Sequence, residues 1–425
     1  MSLKVVRRFR FFFAPVFLFL LFSQAYSGTL DPTFGTRGKV TVDFPFATTY
    51  TSSGNYIFVQ PSGRIVALGN HNQSGPDGNK PGVVMVGLTS SGAIDTTFGS
   101  GIGLDWSPNA SINLSDAQML ADGKIMRLGQ FVQIPATFSA RLYRIGVNGS
   151  TENFFPNLHV NQTQPLPGKF ALQSDGKTLA IISSSYLIRF NTDGSRDEAF
   201  GTNGVIDIPR ISTISDRRII GMKILPNGKI LIAGHRNSFK ELFLLRLDSD
   251  GNADHSFGRL GLVQHNFGEQ TFVISDLIVQ PDNKYLVSGS ISTPDNDALM
   301  VRFTQRGRLD YGFGNAGVVI TDFTPDGNDS FNGAKLTADG KIIAVGQAST
   351  SPSTFSSFLV AKYSANGSLE ASTQTSFTTS QNSSAANAVI QPDGKIVVIG
   401  YTRNPNLSIN GNVFAIARYT DITND

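Results

Sequence analysis

Cysteine is absent from the 425-residue sequence. Its absence excludes disulfide bonds, thiolate metal sites, cysteine nucleophiles and a lipid anchor attached to cysteine. Histidine is scarce, and the five residues of this type show no metal-ligand spacing: His71, His159, His235, His255 and His265. We expect them to be ordinary loop or surface residues, and we expect no bound metal or other cofactor.

Charge of either sign is sparse, since 16% of the residues are charged and 40% are hydrophobic. The formal net charge is +3, but four of the 35 Lys and Arg residues, and none of the 32 Asp and Glu residues, lie in the first 27 positions. The rest of the chain is therefore close to neutral and has no basic surface for nucleic acid or anionic membranes. Without disulfides, a large apolar core must hold it together.

Long hydrophobic runs are absent beyond the N-terminus. There, four basic residues within the first ten positions precede an apolar run at residues 11–22, and small residues follow. The run is shorter than the roughly 20 residues of a spanning helix, and this order of segments is typical of a secretory signal. We predict a signal over residues 1–27, cleaved after Ala25 or Ser27, with a retained anchor as the alternative. The mature protein is then exported to the periplasm, the cell surface or the medium, without stable membrane insertion.

What the sequence does contain is a short motif of the type Gln-Pro-Asp-Gly-Lys-Ile that returns seven times. Its turn positions are 52 to 60 residues apart, at Gly63, Gly123, Gly176, Gly228, Asn283, Gly340 and Gly394. A period of this size indicates a repeat array whose units cannot bury a core alone. Since no linker divides the array, we predict one domain over residues 28–425.

Each unit has three recurring pieces. Two β-rich runs flank the turn, which predicts a hairpin with Gly, or Asn at position 283, in the left-handed conformation. A third run carries Arg before an apolar or aromatic residue, and a Gly-x-Leu-Asp-x-x-Phe-Gly turn then leads into a fourth run. That last motif degrades after Gly149 and Gly367. Four antiparallel strands per unit, seven times, predict an all-β, seven-bladed β-propeller.

The two ends of the array favour a closed ring. The seventh unit stops just after its third run, and residues 28–44 supply the missing fourth piece. We therefore predict that the N-terminal strand joins the last blade, which leaves no sheet edge at the seam.

The combination of Asp-Gly-Lys-Ile hairpins, an Arg-aromatic strand and Leu-Asp-x-x-Phe-Gly turns resembles the delta-sixty repeats of secreted and surface bacterial proteins, over nearly all of residues 28–425. The resemblance implies a β-propeller fold and an exported location. It implies no activity, so no catalytic residue is carried over. The order of the pieces is also similar to propellers of the NHL and gluconolactonase type, an analogy of fold.

Strand order places the recurring turns at one end of the ring and the connections that differ between blades at the other. The variable connections are rich in Ser, Asn, Thr, Gly and Pro, and they include residues 70–81, 130–139, 290–297, 347–357 and 401–412. We predict that they bind a protein or glycan partner. The alternative is that they are only solvated connections.

The first strand of each unit is expected to line a central tunnel. The apolar residue before each turn, from Val59 to Ile390, should pack between blades. The alternate positions should point into the tunnel, and they are Phe58, Gln118, Ala171, Lys223, Ile278, Lys335 and Val389. Gln118, Lys223 and Lys335 are the candidate ligand-binding residues. The two lysines suit an anionic group, or else they are solvated in a wet channel.

No motif for catalysis stands out. Residues 248–254 resemble a calcium loop superficially, but Gly251 is misplaced and the closing Glu is missing, so a turn is the better interpretation. An Asp recurs at the end of the fourth strand, at Asp43, Asp105, Asp207 and Asp322. We expect these residues to bond loop amides rather than to converge on a ligand.

These features predict a non-enzymatic, monomeric, exported scaffold for a protein or glycan partner. One alternative is a metal-dependent hydrolase or lactonase with a site at the tunnel mouth, for which the tunnel positions offer no ligand set. The other is a purely structural role in the cell envelope.

Overall fold

The computed structural model describes residues 27–44, 50–75, 78–99, 104–106, 111–133, 137–153, 158–162, 168–182, 186–208, 217–236, 238–293, 295–349, 355–378, 382–404 and 411–423. Within these ranges the protein contains β-strands and turns and no α-helix. No described helix is therefore available to cross a membrane. The predicted signal segment lies outside the described residues.

Thirty strands form seven antiparallel sheets in the described part of the chain. The first two belong to the last blade and are β1 (Ser27–Leu30) and β2 (Lys39–Val42). Blade 1 contains β3 (Tyr50–Val59), β4 (Ile65–Gly75), β5 (Gly78–Leu88) and β6 (Leu104–Trp106). Blade 2 contains β7 (Ser111–Met119), β8 (Ile125–Gln133), β9 (Thr137–Ile145), β10 (Thr151–Asn153) and β11 (Leu158–Gln162). Blade 3 contains β12 (Lys169–Leu172), β13 (Thr178–Ile182), β14 (Tyr186–Phe190) and β15 (Val205–Asp207).

Blades 4 to 7 follow the same order. Blade 4 contains β16 (Arg217–Ile224), β17 (Ile230–Arg236), β18 (Glu241–Leu247) and β19 (Leu262–Asn266), and blade 5 contains β20 (Phe272–Val279), β21 (Tyr285–Ser292), β22 (Asn296–Phe303) and β23 (Val318–Thr321). Blade 6 contains β24 (Asn328–Leu336), β25 (Ile342–Ser349), β26 (Ser356–Tyr363) and β27 (Leu369–Thr375). Blade 7 contains β28 (Ser383–Ile390), β29 (Ile396–Arg403) and β30 (Asn412–Thr423). The first strands of neighbouring blades contact one another around the whole ring, including β28 with β3. The predicted seven-bladed β-propeller is confirmed.

The ring closes in the last blade, as predicted. Ser27 pairs with Thr423 and Leu30 with Tyr419, so β1 lies against the end of β30. After a turn, β2 pairs with the first half of β30, where Val42 lies opposite Phe414. The N-terminal segment thus forms the fourth strand of blade 7.

The hairpin turns have the predicted backbone. Gly63 has a φ of 83°, and Asn283, the one residue in this series that is not Gly, has a φ of 59°. Asn tolerates this left-handed region better than other residues with a side chain. The turn chemistry therefore explains why the motif survives the exchange of Gly for Asn.

The core lies between the blades. Buried apolar side chains of the described residues form seven clusters, and each cluster joins two neighbouring blades. Val59 packs against the cluster of blades 7 and 1, and Phe58 packs against that of blades 1 and 2. The prediction that alternate positions face the tunnel is therefore wrong for Phe58, and likewise for Ile278 and Val389. Because the sheets are radial, the two faces of an inner strand point to the two neighbouring blades, and only its edge faces the axis.

Several connections are shorter than the sequence suggested. In blade 1 the pairing of β4 with β5 continues to Gly75 opposite Gly78, so most of the predicted loop at residues 70–81 is strand. His71 lies in β4 and His235 lies in β17, and both are buried. The prediction of loop or surface histidines is therefore wrong for both. Blades 2 and 6, where the Phe-Gly motif degrades, still have fourth strands, β10 and β27, which start directly after their turns.

Candidate functional site

The two ends of the ring differ in construction. We call the end that carries the hairpin turns from Gly63 to Gly394 the staple face. We call the opposite end, with connections such as 238–240, 267–271 and 322–327, the variable-loop face. Each four-stranded blade places its first and third turns on the staple face and its second turn on the variable-loop face.

Blade 4 shows the arrangement that recurs on the staple face. Asp254 binds two cations, Arg246 Nε at 2.6 Å and Lys229 Nζ at 2.8 Å. The guanidinium carbon of Arg246 lies 4.4 Å from the ring centroid of Phe257, a cation–π contact. The same guanidinium donates to the carbonyl of Gln305 in blade 5 at 2.6 Å. One arginine thus fixes its own turn to the turn of the next blade.

We name this unit the Arg–Asp–Phe staple. It recurs in three more blades, as Arg189–Asp197–Phe200, Arg302–Asp310–Phe313 and Arg418–Asp31–Phe34. These arginines donate to carbonyl groups of the following blade, at Ser249, Ala365 and Ser90. In blade 7 the arginine comes from the last strand and the other two residues from the N-terminal segment, so the staple also joins the chain ends.

Each staple phenylalanine packs on a turn glycine of the next blade. A Cβ atom at Gly251 would lie 2.9 Å from the ring of Phe200, and one at Gly307 would lie 2.7 Å from the ring of Phe257. The glycine is therefore required by the neighbour as well as by the positive φ of its own turn. The repeated motif encodes contacts between blades.

The staple carboxylates are held in the charged form. Burial raises the pKa of Asp31, but hydrogen bonds from Thr33 and Lys395 and the charge of Arg418 outweigh it and lower the pKa to about 2. For Asp254, burial is likewise outweighed by hydrogen bonds from Lys229 and other donors, and the pKa lies well below its usual range. Paired charges of this kind stabilise the fold near neutral pH.

Three blades depart from this pattern. Blade 1 has Gly87 at the arginine position of the third strand, and Arg64 of the hairpin turn pairs with Asp95 instead, at 2.6 Å. Arg64 still reaches the next blade, at the carbonyl of Val147. Blades 2 and 6 have only smaller pairs, such as Arg144 with Glu152. A complete staple thus needs both the arginine of the third strand, which blade 1 lacks, and the Phe-Gly motif, which is degraded in blades 2 and 6.

Polar side chains of the inner strands form a second set of links between blades. Six of the seven inner strands contain a β-bulge, which frees backbone groups for bonding beyond the sheet. The links are Asp116 Oδ2 accepting from Phe170 N at 3.1 Å, Asp276 Oδ2 accepting from Ala334 N at 3.1 Å, and Asn332 Nδ2 donating to Ala385 O at 2.7 Å. These polar residues are therefore engaged by the scaffold.

The three predicted tunnel residues have different surroundings. Gln118 donates to the carbonyl of Phe170 in the next blade at 2.6 Å, which is another link between blades. Lys223 is exposed and Lys335 is half-buried. Burial lowers the pKa of Lys335, Asp276 raises it, and Lys223 lowers it further. Lys335 thus interacts with both Asp276 and Lys223, whereas Gln118 is bonded to the neighbouring blade.

Three carboxylates converge on the variable-loop face. Asp297, Asp322 and Asp329 each offer an oxygen within 4.8 Å of the others, at the junction of blades 5 and 6. Asp322 bonds the amide of Thr324 at 3.0 Å, as expected for a strand end, and it also converges with the other two. Both oxygens of Asp329 already accept hydrogen bonds from Thr324 or Phe323. Burial raises the pKa of Asp329 to about 6 despite these bonds.

The calcium-like segment at residues 248–254 is a turn, as predicted. Asp248 Oδ1 accepts from the backbone amides of Asp250 at 3.0 Å and Asn252 at 2.8 Å. The remaining carboxylate, Asp254, belongs to the staple of blade 4. The side chains are therefore used within the turn and the blade.

One notable residue of the variable-loop face was not identified from the sequence. Phe239 lies in the short connection between β17 and β18, has a positive φ of 70°, and is 39% exposed. An aromatic residue in the polar segment Ser238 to Lys240 was the only available signal. The backbone conformation, which sets it apart, is visible only in the structure.

Comparisons with known proteins agree with this architecture. A family model described as a domain of unknown function (DUF5122) beta-propeller matches residues 173–200, 225–257, 280–313, 337–372 and 391–420. These segments fall in blades 3 to 7, and each begins at a hairpin turn and extends to or beyond the third strand. The chain is therefore a β-propeller built from tandem repeats. No curated protein matches it.

Two solved structures are similar to this chain, both at low identity. One is a protein of unknown function from Dyadobacter fermentans DSM 18053, with 12% identity, a TM-score of 0.45, and coverage of 91% of this chain and 99% of that chain. The other is a putative gluconolactonase, with 14% identity, a TM-score of 0.33, and coverage of 73% of this chain and 93% of that chain. At these identities and scores, neither indicates an activity for this chain.

Proposed function

We propose that this chain is a non-enzymatic binding scaffold that presents its variable-loop face to a protein or glycan partner. The observation that supports this proposal is the difference between the two ends of the ring. Recurring polar residues of the staple face are paired within the scaffold, as Asp254 is with Arg246 and Lys229. The variable-loop face instead carries the converging carboxylates of Asp297, Asp322 and Asp329, and it also exposes Phe239 and Phe355. Binding residues concentrate on loops held by a rigid scaffold.

Site-specific photo-crosslinking tests which face binds. A photoreactive phenylalanine analogue replaces Phe355 on the variable-loop face, which is 51% exposed, or Tyr311 on the staple face, which is 77% exposed. Each protein is exposed to intact cells of the source organism, and captured species are then purified and titrated. A partner captured only at position 355, and bound by the purified protein, supports the proposal. Capture of that partner only at position 311 would contradict it.

Export and monomeric state are part of the proposal. The basic and apolar N-terminal segment is of the signal type. N-terminal sequencing of protein from native cells should give a chain that starts at Tyr26 or Gly28. Light scattering should give the mass of one chain.

In the tunnel, Lys223 and Lys335 are the proposed contacts for an anionic group of the ligand, with Gln118 beside the next blade. The alternative function, a metal-dependent hydrolase or lactonase, needs several converging ligands. Within the described residues the group Asp297, Asp322 and Asp329 is the candidate. Metal analysis of the purified protein separates the two functions, because a stoichiometric divalent ion would favour the enzyme.

A further inference from the structure

The connection between β17 and β18 holds an aromatic side chain on an unfavourable backbone. Ser238 and Phe239 have φ values of 51° and 70°, in the left-handed region that bulky side chains rarely adopt. The conformation is held in place, since the carbonyl of Phe239 accepts a hydrogen bond from the amide of Phe272 at 2.9 Å. Backbones of this kind persist where the surroundings enforce them, and they concentrate at functional sites.

The ring of Phe239 is supported on one side and open on the other. Its centroid lies 4.6 Å from that of His235, and the two planes differ by 32°. His235 is only 2% exposed, so it forms the floor beneath the ring. Phe239 itself is 39% exposed, and a ligand could reach its ring from the side away from His235. An apolar surface of this kind gains free energy when a ligand covers it.

Hydrogen-bonding groups lie on the strands that this connection joins and on the next strand, β19. The Glu241 carboxylate accepts from Arg236 Nε at 2.7 Å and from Gln264 Nε2 at 2.6 Å. Lys240 Nζ pairs with Glu269 at 2.9 Å. Gln264 and Glu269 are exposed, so their amide and carboxylate groups are accessible to a ligand. Donors and acceptors thus lie next to one bare aromatic face.

We propose that Phe239 is the stacking platform of a carbohydrate-binding site, which rests on the proposed function and narrows its partner to a glycan. A sugar ring has a face of C–H groups, which complements the electron-rich face of an aromatic ring. Its hydroxyl groups at the rim both donate and accept, as carboxylate, amide and ammonium groups require. A protein hot spot would need apolar neighbours that exclude water from the ring. The residues beside Phe239 in the chain, Ser238 and Lys240, are polar or charged.

The test is a glycan array followed by calorimetric titration of the bound saccharides. We expect the wild-type protein to bind a defined group of saccharides and Phe239→Ala to weaken that binding at least tenfold. Phe239→Trp keeps an aromatic platform and should retain the binding. The matched control is Tyr311→Ala, which removes an exposed aromatic side chain from the staple face and should leave the affinity unchanged.

A variant with glycine separates the role of the ring from that of the backbone. Phe239→Gly fits a φ of 70° without strain, so it should melt no earlier than Phe239→Ala and should still lose saccharide binding. If the wild-type protein binds saccharides and Phe239→Ala binds them equally well, this inference is overturned and the proposed function stands. If the wild-type protein binds no saccharide on the array, this inference is overturned as well. The proposed function then depends on the crosslinking result at position 355.

Discussion

On the staple face, Asp254 lies between Arg246 and Lys229, whereas on the variable-loop face Asp297, Asp322 and Asp329 lie against one another. Every blade has strand ends at both faces, so the difference arises from the side chains at those ends. Opposite charges lower the pKa of the staple carboxylates. The pKa of Asp322 is raised by burial and by the charge of Asp297.

The two faces also differ in how their residues link neighbouring blades. Each staple joins a turn to the next blade through a guanidinium, a carboxylate and a phenyl ring. A substitution in one blade therefore also alters contacts of the next blade. The variable-loop face has fewer repeated links of this type among the described residues, and it holds Phe239 outward on an unfavourable backbone. The staples thus stabilise one end of the ring, and the binding that we propose belongs to the other. The following experiments test that division.

Deletion of residues 28–44 should have the largest effect. It removes β2 and most of β1, together with Asp31 and Phe34 of the blade 7 staple. The edge of β30 is then exposed and the ring is open. We expect the loss of cooperative unfolding in urea, followed by circular dichroism. A synthetic peptide of residues 28–44, added in excess, should restore the transition, and an unchanged transition in the deletion variant would refute the closure.

Arg246→Ala should destabilise the fold by about 3 kcal/mol. That figure is the lower end of the range for breaking a buried ion pair, because Lys229 remains beside Asp254. The matched variant on the other face is Lys240→Ala, which breaks an exposed pair with Glu269 and should change the free energy of unfolding by less than about 0.5 kcal/mol. Urea denaturation measures both values. Equal values for the two variants would contradict the division between the faces.

Two glycines with positive φ test how tightly each face is packed. A Cβ atom at Gly251 would lie 1.8 Å from the side chain of Ile206 in the preceding blade, whereas nothing lies within 4 Å of a Cβ atom at Gly268 on the variable-loop face. Both changes to alanine incur the strain of a left-handed residue, about 1 kcal/mol. Gly251→Ala should lower the free energy of unfolding by about 1–3 kcal/mol more than Gly268→Ala, because its methyl group overpacks the contact with Ile206. Thermal melting of the two variants gives the comparison.

The smallest expected effect is a difference in pH dependence between the faces. The pKa of Asp95 on the staple face is lowered to about 2 by hydrogen bonds from Thr97 and Arg64. The contribution of Asp95 to the free energy of unfolding is therefore present above about pH 4 and is lost as the pH falls toward 2. The pKa of Asp329 is raised to about 6 by burial. The contribution of Asp329 to the free energy of unfolding is therefore present below about pH 4 and is lost as the pH rises to 6.

Substitutions by asparagine separate the two contributions. Asp95→Asn should flatten the dependence of stability on pH between 4 and 2, and Asp329→Asn should flatten it between 4 and 6. Urea midpoints at half-unit pH steps measure both slopes. The assignment fails if Asp329→Asn leaves the slope between pH 4 and 6 unchanged.

Much of the fold could be predicted because the repeat is local. The left-handed turn at Asn283 and the missing fourth strand of blade 7 follow from short segments of the sequence, and the structure agrees with both. The direction of Phe58 could not be predicted in the same way. Alternation along a strand defines two faces, but only the radial arrangement of the sheets decides that both faces meet neighbouring blades.

The candidate site was predicted less completely. The sequence indicated which end of the ring varies, and it identified Lys223 and Lys335, of which Lys335 interacts with both Asp276 and Lys223. It did not indicate that Gln118 bonds to Phe170, a residue 52 positions away. Nor did it show that Asp322 meets Asp297 and Asp329, because these residues come from two blades and three strand ends.

The sequence by itself determined the number of blades, the turn conformations and the origin of the closing strand, because each depends on spacing or on the φ preference of one residue. Only the tertiary structure decided what the recurring Arg, Asp and Phe residues do. The staples of blades 3 to 5 contact residues 59 to 63 positions further along the chain, and the staple of blade 7 contacts Ser90, 328 positions earlier. The tertiary structure also decided that Phe239 points outward over His235. That orientation follows from a backbone conformation that its neighbours in space impose, and no local preference of the sequence predicts it.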